Sequence, residues 1–160
     1  MIMFAPKKIL VPTDFSEYSD EALRQAADIA GKFNSQIYLL HVYDEGLQQC
    51  VTDYCIPSNV LAQIEGEAIT SSKERMEKEV QAIIKEKHID IVFDIVKGFP
   101  YEVILKEQQE KTIDLIVIAS HGKTGILKHL IGSVAEKVVR SAKCEVLLIK
   151  KNVTIQHNVL

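Results

Sequence analysis

Three short stretches have residue types and spacing that could do chemistry: Pro12-Thr13-Asp14, the run Ser120-His121-Gly122-Lys123-Thr124, and Gly132-Ser133. Gly122-Lys123-Thr124 spells the end of a P-loop, in which G-x-x-x-x-G-K-[ST] wraps backbone N–H groups around phosphates ahead of the lysine. The first glycine of that motif would be residue 117, and Val117 stands there inside an apolar run. The P-loop reading fails. A G-x-G-x-x-G fingerprint is also missing from "ILVPTDFSEYS", which argues against NAD and FAD.

What remains is Ser120-His121-Gly122, a nine-residue connection, and Gly132-Ser133 opening a helix. Glycine has no Cβ, so a ligand can approach the backbone closely. The first turn of a helix offers free N–H groups and a dipole that favours an anion. Together these features could clamp a polyphosphate. The same letters have a plainer reading, in which Ser133 and Glu136 form a capping box worth about 1 kcal/mol. Gly122 and Gly125 would then be turn residues, and His121, Lys123, Lys128 and His129 surface groups.

Other candidate clusters are weaker. Asp90 and Asp94 in "IDIVFDIVKG" share a parity, as a carboxylate pair would, yet that alternation also marks an edge strand wetter on one face. Cys50 and Cys55, with His41 nearby in sequence, are spaced C-x4-C without a second ligand pair, which does not make a metal site. Three scattered cysteines, Cys144 being the third, suit a reducing compartment.

The elements that position these residues follow from periodicity. "KKILVP" predicts a buried first strand stopped by Pro12. Asp14, with Glu17 three residues later, is expected to cap a helix whose apolar face is Ala22, Leu23, Ala26, Ile29, Ala30 and Phe33. Ser35 to Asp44 reads as a second strand, and Glu45 to Ser58 as a long loop or lid. A helix is expected from Asn59 to Lys87, with Leu61, Ile64, Ala68, Ile69, Met76, Val80, Ile83 and Ile84 packed on a sheet and the charges of "SSKERMEKEVQAIIKEK" in solvent. The rest reads as strand "IDIVFDIVKG", helix "PYEVILKEQQEKT" with Pro100 in its first turn, strand "DLIVIAS", helix "GSVAEKVVRSA" and edge strand "CEVLLIK".

Five strands alternating with four helices predict an α/β, doubly wound, open parallel sheet with helices on both faces, Rossmann-like or flavodoxin-like, in one domain over residues 1–160. In such sheets a ligand binds beyond the carboxyl ends of the strands, where strand order reverses. That places the site at "VPTDFS" and "ASHGKTG".

A net charge of −3 gives no footprint for nucleic acid, which is held by clustered Lys and Arg. The apolar runs fall short of the roughly 18 to 20 residues of a membrane helix, and the N-terminus lacks the long apolar core of a signal peptide. No membrane association is expected, and the expected location is the cytoplasm.

"ILVPTDFS", "LLHV", "DLIVIASHGKTG" and "IGSVAEKVVRSAKCEVLLIK" together, in this order, resemble the universal stress protein family. The family's ATP-binding members carry G-x2-G-x9-G-[ST], and this chain reads Ala119-x2-Gly122-x9-Gly132-Ser133. The resemblance implies strand order 3-2-1-4-5 and ATP, with Mg2+, as the ligand. It implies that Pro12, Thr13 and Asp14 line the nucleoside end and that the backbone at Val42 meets the adenine. Gly122, Gly132, Ser133, Val134 and Ala135 would meet ribose or phosphates, with Ala119 and His121 beside them. Ala119, in place of the first glycine, is expected to narrow that approach. The resemblance also implies a homodimer through the last strand, Cys144 to Lys150. Three functions follow as alternatives: an ATP-binding stress or signalling protein, a slow ATPase or autophosphorylating enzyme, and a nucleotide-free interaction module.

Overall fold

The computed structural model describes residues 4–43, 57–84, 88–123 and 131–150. Its elements are β1 (Lys8–Thr13), α1 (Glu17–Phe33), β2 (Gln36–Tyr43), α2 (Ser58–Ile83), β3 (Ile91–Lys97), α3 (Pro100–Glu110), β4 (Leu115–Ala119), α4 (Ser133–Ser141) and β5 (Glu145–Ile149). The strands form one sheet in the order β3-β2-β1-β4-β5, every neighbouring pair parallel. This is the doubly wound sheet that the alternation predicted.

The inner strands read as continuous apolar runs because both their faces are covered. Ile9, Val11, Ile37, Leu39, Leu115 and Val117 pack beneath Ala22, Leu23, Ala26, Ala27 and Ala30 of α1 and Met76 of α2. Leu10, Leu40, Ile116 and Ile118 pack on the other face beneath Val103 and Ile104 of α3 and Ala135 and Val138 of α4. Fully burying one such side chain contributes about 1.5–3 kcal/mol, so these two clusters hold the sheet between its helices.

Several expectations need correction. β1 does not stop at Pro12 but pairs with β2 through Thr13. The Asp114 N–H donates to the Lys8 carbonyl, so Lys8, Leu10 and Pro12 turn their backbone toward β4. Pairing of β1 with β4 ends at Leu10↔Ile116, so the N–H that Pro12 lacks would have had no strand to meet. The long helix packs only through its second half: Met76 is buried and Val80, Ile83 and Ile84 join the core, whereas Ile64, Ala68 and Ile69 are exposed. Its helical residues end at Ile83, with Ile84 as the C-cap.

β3 lies at one edge of the sheet, as its alternation suggested, and all its residues are half-buried. Asp90 precedes the strand and accepts from the Gln36 side chain, while Asp94 pairs with Lys111 at 3.5 Å. These two carboxylates hold local structure and do not face one another across a site. The opposite edge is β5, where Leu147 is exposed. Cys50, Cys55 and most of the expected lid lie outside the described residues. Among the described residues no helix is long and apolar enough to cross a membrane.

Candidate functional site

Strand order reverses between β1 and β4, and the register shows the crevice that results. β1 and β4 pair only at Ile9↔Leu115 and Leu10↔Ile116. Beyond that point β1 continues beside β2 to Thr13↔His41, and β4 beside β5 to Ala119↔Ile149. The two central strands therefore part at their carboxyl ends, with Pro12-Thr13-Asp14 on one bank and Ser120-His121-Gly122 on the other.

Asp14 bridges the banks. Its Oδ1 accepts the Ser16 N–H at 3.1 Å, and its Oδ2 accepts the Lys123 N–H at 2.8 Å. It is not the helix cap that its spacing to Glu17 suggested: Ser16 caps α1 in a reciprocal box with Ser19. Half-burial pushes the Asp14 carboxyl upward, but hydrogen bonds from Ser16, Lys123 and Ser19 outweigh it and leave the pKa below its ordinary value. Asp14 is thus an anion at neutral pH with lone pairs to spare. Gly122 is glycine because of it, since a Cβ there would lie 2.6 Å from Asp14 Oδ2.

The start of α4 is the second correction. Gly132 is the N-cap, with φ −63° and ψ 149°, and no side chain caps the helix. Ser133 is already the first helical residue and is exposed, so the expected Ser133–Glu136 capping box is absent. Glu136 pairs with Arg140 instead. The Gly132 N–H donates to the Ser120 carbonyl at 2.7 Å, which docks the helix start against the end of β4. A Cβ on Gly132 would come within 3.3 Å of that same carbonyl oxygen. The first-turn N–H groups of α4 therefore remain an open donor set at the crevice. Val134 and Ala135 pack inward on the α3 and α4 face and fix the helix behind it.

The remaining expected residues separate by face. Val42 stands at the end of β2, packed on the α3 and α4 side and paired with Val96. Ala119 belongs to the buried cluster under α1, with 8% of its surface exposed. Its methyl is turned toward the α1 face of the sheet, opposite the face on which α4 packs. Half-buried His121 places Nδ1 2.8 Å from the Ser120 hydroxyl, and its ring lies 5.7 Å from that of Tyr18.

Three residues that the pattern did not single out, Phe15, Arg75 and Glu79, surround the β1 bank on the α1 side together with His41. The Thr13 hydroxyl donates to Glu79 of α2 at 3.1 Å and accepts the Phe15 N–H at 3.0 Å. His41 Nδ1 lies 3.0 Å from the Thr13 carbonyl, which only accepts, so Nδ1 carries the proton. Burial first, then the charges of Lys123 and Arg75, hold His41 below its ordinary pKa against the pull of that hydrogen bond, so the ring is neutral at pH 7. Phe15 packs on His41 with centroids 4.4 Å apart and carries the Arg75 guanidinium at 4.2 Å and the Lys123 ammonium at 5.9 Å. Arg75 and Glu79 are one helical turn apart, the spacing that puts two side chains on one face. That spacing was the available signal, masked by the charges around it.

Comparisons with known proteins converge on one family. The model of the universal stress protein family matches residues 6–150. The universal stress protein MJ0531 of Methanocaldococcus jannaschii is 34% identical over 146 residues, 91% of this chain and 82% of that one. The stress response protein NhaX of Bacillus subtilis is 29% identical, spanning 92% of this chain and all of its own. Among solved structures, that of MJ0577 has a TM-score of 0.79 at 30% identity, covering 93% of this chain and 99% of the other. The universal stress protein UspA from Lactobacillus plantarum has a TM-score of 0.74 at 26% identity, covering 90% and 97%. With its sheet order, its parted central strands and its glycines at the crevice, the chain belongs to the universal stress protein family.

Proposed function

We propose that residues 1–160 act as one universal stress protein domain that binds ATP with Mg2+, and that nucleotide occupancy modulates its conformation, its dimer or its choice of partner. The observation that carries this reading is the uncapped start of α4, docked on Ser120 directly across the parted strands from Asp14. A magnesium-bound triphosphate brings concentrated negative charge and a ribose with hydroxyl donors, and the two banks match them in kind. Ser133, Val134 and Ala135 would hold phosphates through main-chain N–H groups, where a side-chain cap would have competed, and Gly132, its own N–H spent on Ser120, would let them approach. Pro12, Thr13 and Asp14 would line the nucleoside, with the Asp14 carboxylate accepting from ribose. The main chain at Val42 would meet the adenine, and His121 and Gly122 would close the β4 bank.

Two proteins of this fold were solved with adenine nucleotides, one with cAMP and one with dAMP. At 24% and 22% identity they share the fold with this chain, and the argument for ATP rests on the residues above.

A path from the site to the sheet edge supports the modulatory part. The Gly132 N–H donates to the Ser120 carbonyl, and the Ser120 N–H donates at 2.8 Å to the Ile149 carbonyl at the end of β5. Movement at the phosphate end thus reaches the edge strand through two hydrogen bonds. That strand, Cys144 to Lys150, is the proposed homodimer seam: among the described residues it is the last strand of the sheet, with Leu147 exposed on it. Signalling of this kind needs binding and release, so the proposed role is that of a binder, in the cytoplasm, with hydrolysis slow or absent.

The test is to denature the purified protein, identify the small molecule released, and measure the thermal shift with ATP and Mg2+. ATP in the supernatant, or a rise in melting temperature on adding it, is expected. A protein that releases no nucleotide and shows no shift would be an interaction module instead. Sedimentation of the full chain beside Leu147→Arg tests the seam: a dimer that the substitution splits is expected, and a wild-type monomer at all concentrations rules it out.

A further inference from the structure

Three consecutive residues at the end of β1 point alternately to different parts of the molecule. Thr13 reaches α2 through its hydroxyl, 3.1 and 3.4 Å from the two carboxyl oxygens of Glu79. Phe15 reaches α2 through its ring, beneath the guanidinium of Arg75. Asp14 between them crosses the crevice to the Lys123 N–H. Phe15 has φ 61°, a left-handed conformation that is strained for a bulky residue and persists only where its surroundings over-determine it. Here the surroundings are the Thr13 hydroxyl at its N–H, His41 against its ring and Arg75 over it. The turn that presents Asp14 is thus held under strain, and α2 is the clamp.

We propose that Glu79 is a positioning residue for the nucleotide site: by holding Thr13 from α2 it maintains the strained turn that sets Asp14 across the crevice. This rests on the nucleotide-binding reading above. Nothing in it requires Glu79 to touch the nucleotide.

The groups that face Glu79 are Thr13 of β1, Asp20 of α1 and Arg75 of its own helix, with Ser19 3.2 Å from the Thr13 hydroxyl. His41, Asp14 and Lys123 complete the charged set around Phe15. Burial, then the hydrogen bond and charge of Asp20, push Glu79 up to about 8, against the Thr13 hydrogen bond and the Arg75 charge. At neutral pH Glu79 is therefore a neutral acid that accepts from Thr13 and shares its proton with Asp20. Above about pH 8 it becomes a second carboxylate: Asp20 repels it, while the Thr13 hydroxyl and Arg75 hold the ionised form more strongly than the neutral one, so the grip on Thr13 changes there. His41, with its pKa below 6.5, has already lost its proton and is silent in that window.

The experiment is calorimetric titration of the full chain with ATP and Mg2+ between about pH 7 and 9.5, for the wild type, Glu79→Gln and Asp20→Asn. Glutamine keeps the acceptor for Thr13 and cannot ionise. The wild type is expected to shift several-fold in affinity around pH 8 as the grip of Glu79 on Thr13 changes, one pKa unit of linkage being tenfold. Glu79→Gln should bind as the wild type does at pH 7 and stay flat, and Asp20→Asn should move the inflection to lower pH. Parallel profiles for the wild type and Glu79→Gln overturn the proposal. The Lys123 amide chemical shift of the nucleotide-free protein gives an independent reading. It should titrate near 8 in the wild type and not in Glu79→Gln, and an unmoved shift in both overturns the proposal. If no form binds nucleotide at any pH, the nucleotide-binding reading fails, and the amide shift alone decides whether Glu79 sets Asp14.

Discussion

The carboxyl end of the sheet has two halves built on opposite plans. On the α4 side the surface is defined by what is missing: no Cβ at Gly132, no cap on the helix and an exposed Ser133. On the α1 side nearly every polar group has a partner, as Thr13 meets Glu79, Phe15 and His41 in one cluster. Asp14 joins the two. An open donor set binds an anion only if something holds it still, and a dense cluster of side chains holds still without leaving room for a ligand. The half that would hold phosphates and the cluster that supports Asp14 from behind are therefore separate.

The largest effect should come from breaking the join. In Gly122→Ala the new methyl carbon would sit 2.6 Å from Asp14 Oδ2, well inside contact distance, and Oδ1 is already tied to the Ser16 N–H. The carboxylate must rotate and give up the Lys123 N–H. Losing a hydrogen bond to a charged group costs about 1.5–3 kcal/mol. Unfolding in urea should report a stability loss of that order, and the affinity for ATP should fall at least roughly tenfold, read by calorimetry. Unchanged values for both would mean that the halves are not joined through Asp14.

A smaller and cleaner cut removes one donor from the open half. Ser133 is the first helical residue of α4, where proline is tolerated because the N–H it lacks is unused by the helix. The preceding Gly132, at φ −63° and ψ 149°, already has the extended conformation that a residue before proline prefers. Ser133→Pro should leave the thermal midpoint of the nucleotide-free protein within a few degrees of the wild type. It should weaken ATP roughly tenfold, a hydrogen bond to a charged group being worth about 1.5–3 kcal/mol. Equal affinity in the two proteins would show that phosphates do not sit on this N–H. Ser133→Ala is the matching control, because its hydroxyl caps nothing, and little change in stability is expected.

The sequence made the sheet legible because buried parallel strands are long apolar runs and the helices between them are periodic. It made the banks of the crevice legible because topology alone puts Thr13 and Gly122 at the reversal of strand order. It misassigned the caps, and for a physical reason. Asp14, Ser16 and Ser133 are all good capping residues by type, and which one caps is decided by where the chain turns, a matter of one or two residues. The supporting cluster was illegible for another reason. Arg75 and Glu79 lie in a run of alternating charges that reads as solvated, and only the folded register shows that they sit over Phe15 and Thr13. Pro12 misled in the same way, since its cost depends on whether β4 is beside it.

The smallest effect on affinity should come from the residue that departs from the family's glycine pattern. Ala119 lies in the middle of the comparison, at the end of β4, and its side chain belongs to the α1 half. Restoring glycine there opens no space on the α4 side. Ala119→Gly also removes a buried methyl and frees the unfolded backbone, which together should lower stability by about 1–2 kcal/mol in urea unfolding. ATP affinity should remain within about twofold of the wild type by calorimetry. A gain of tenfold or more would mean that the methyl does obstruct the ligand. The division between a binding half and a supporting half would then have to be redrawn, with the end of β4 facing both.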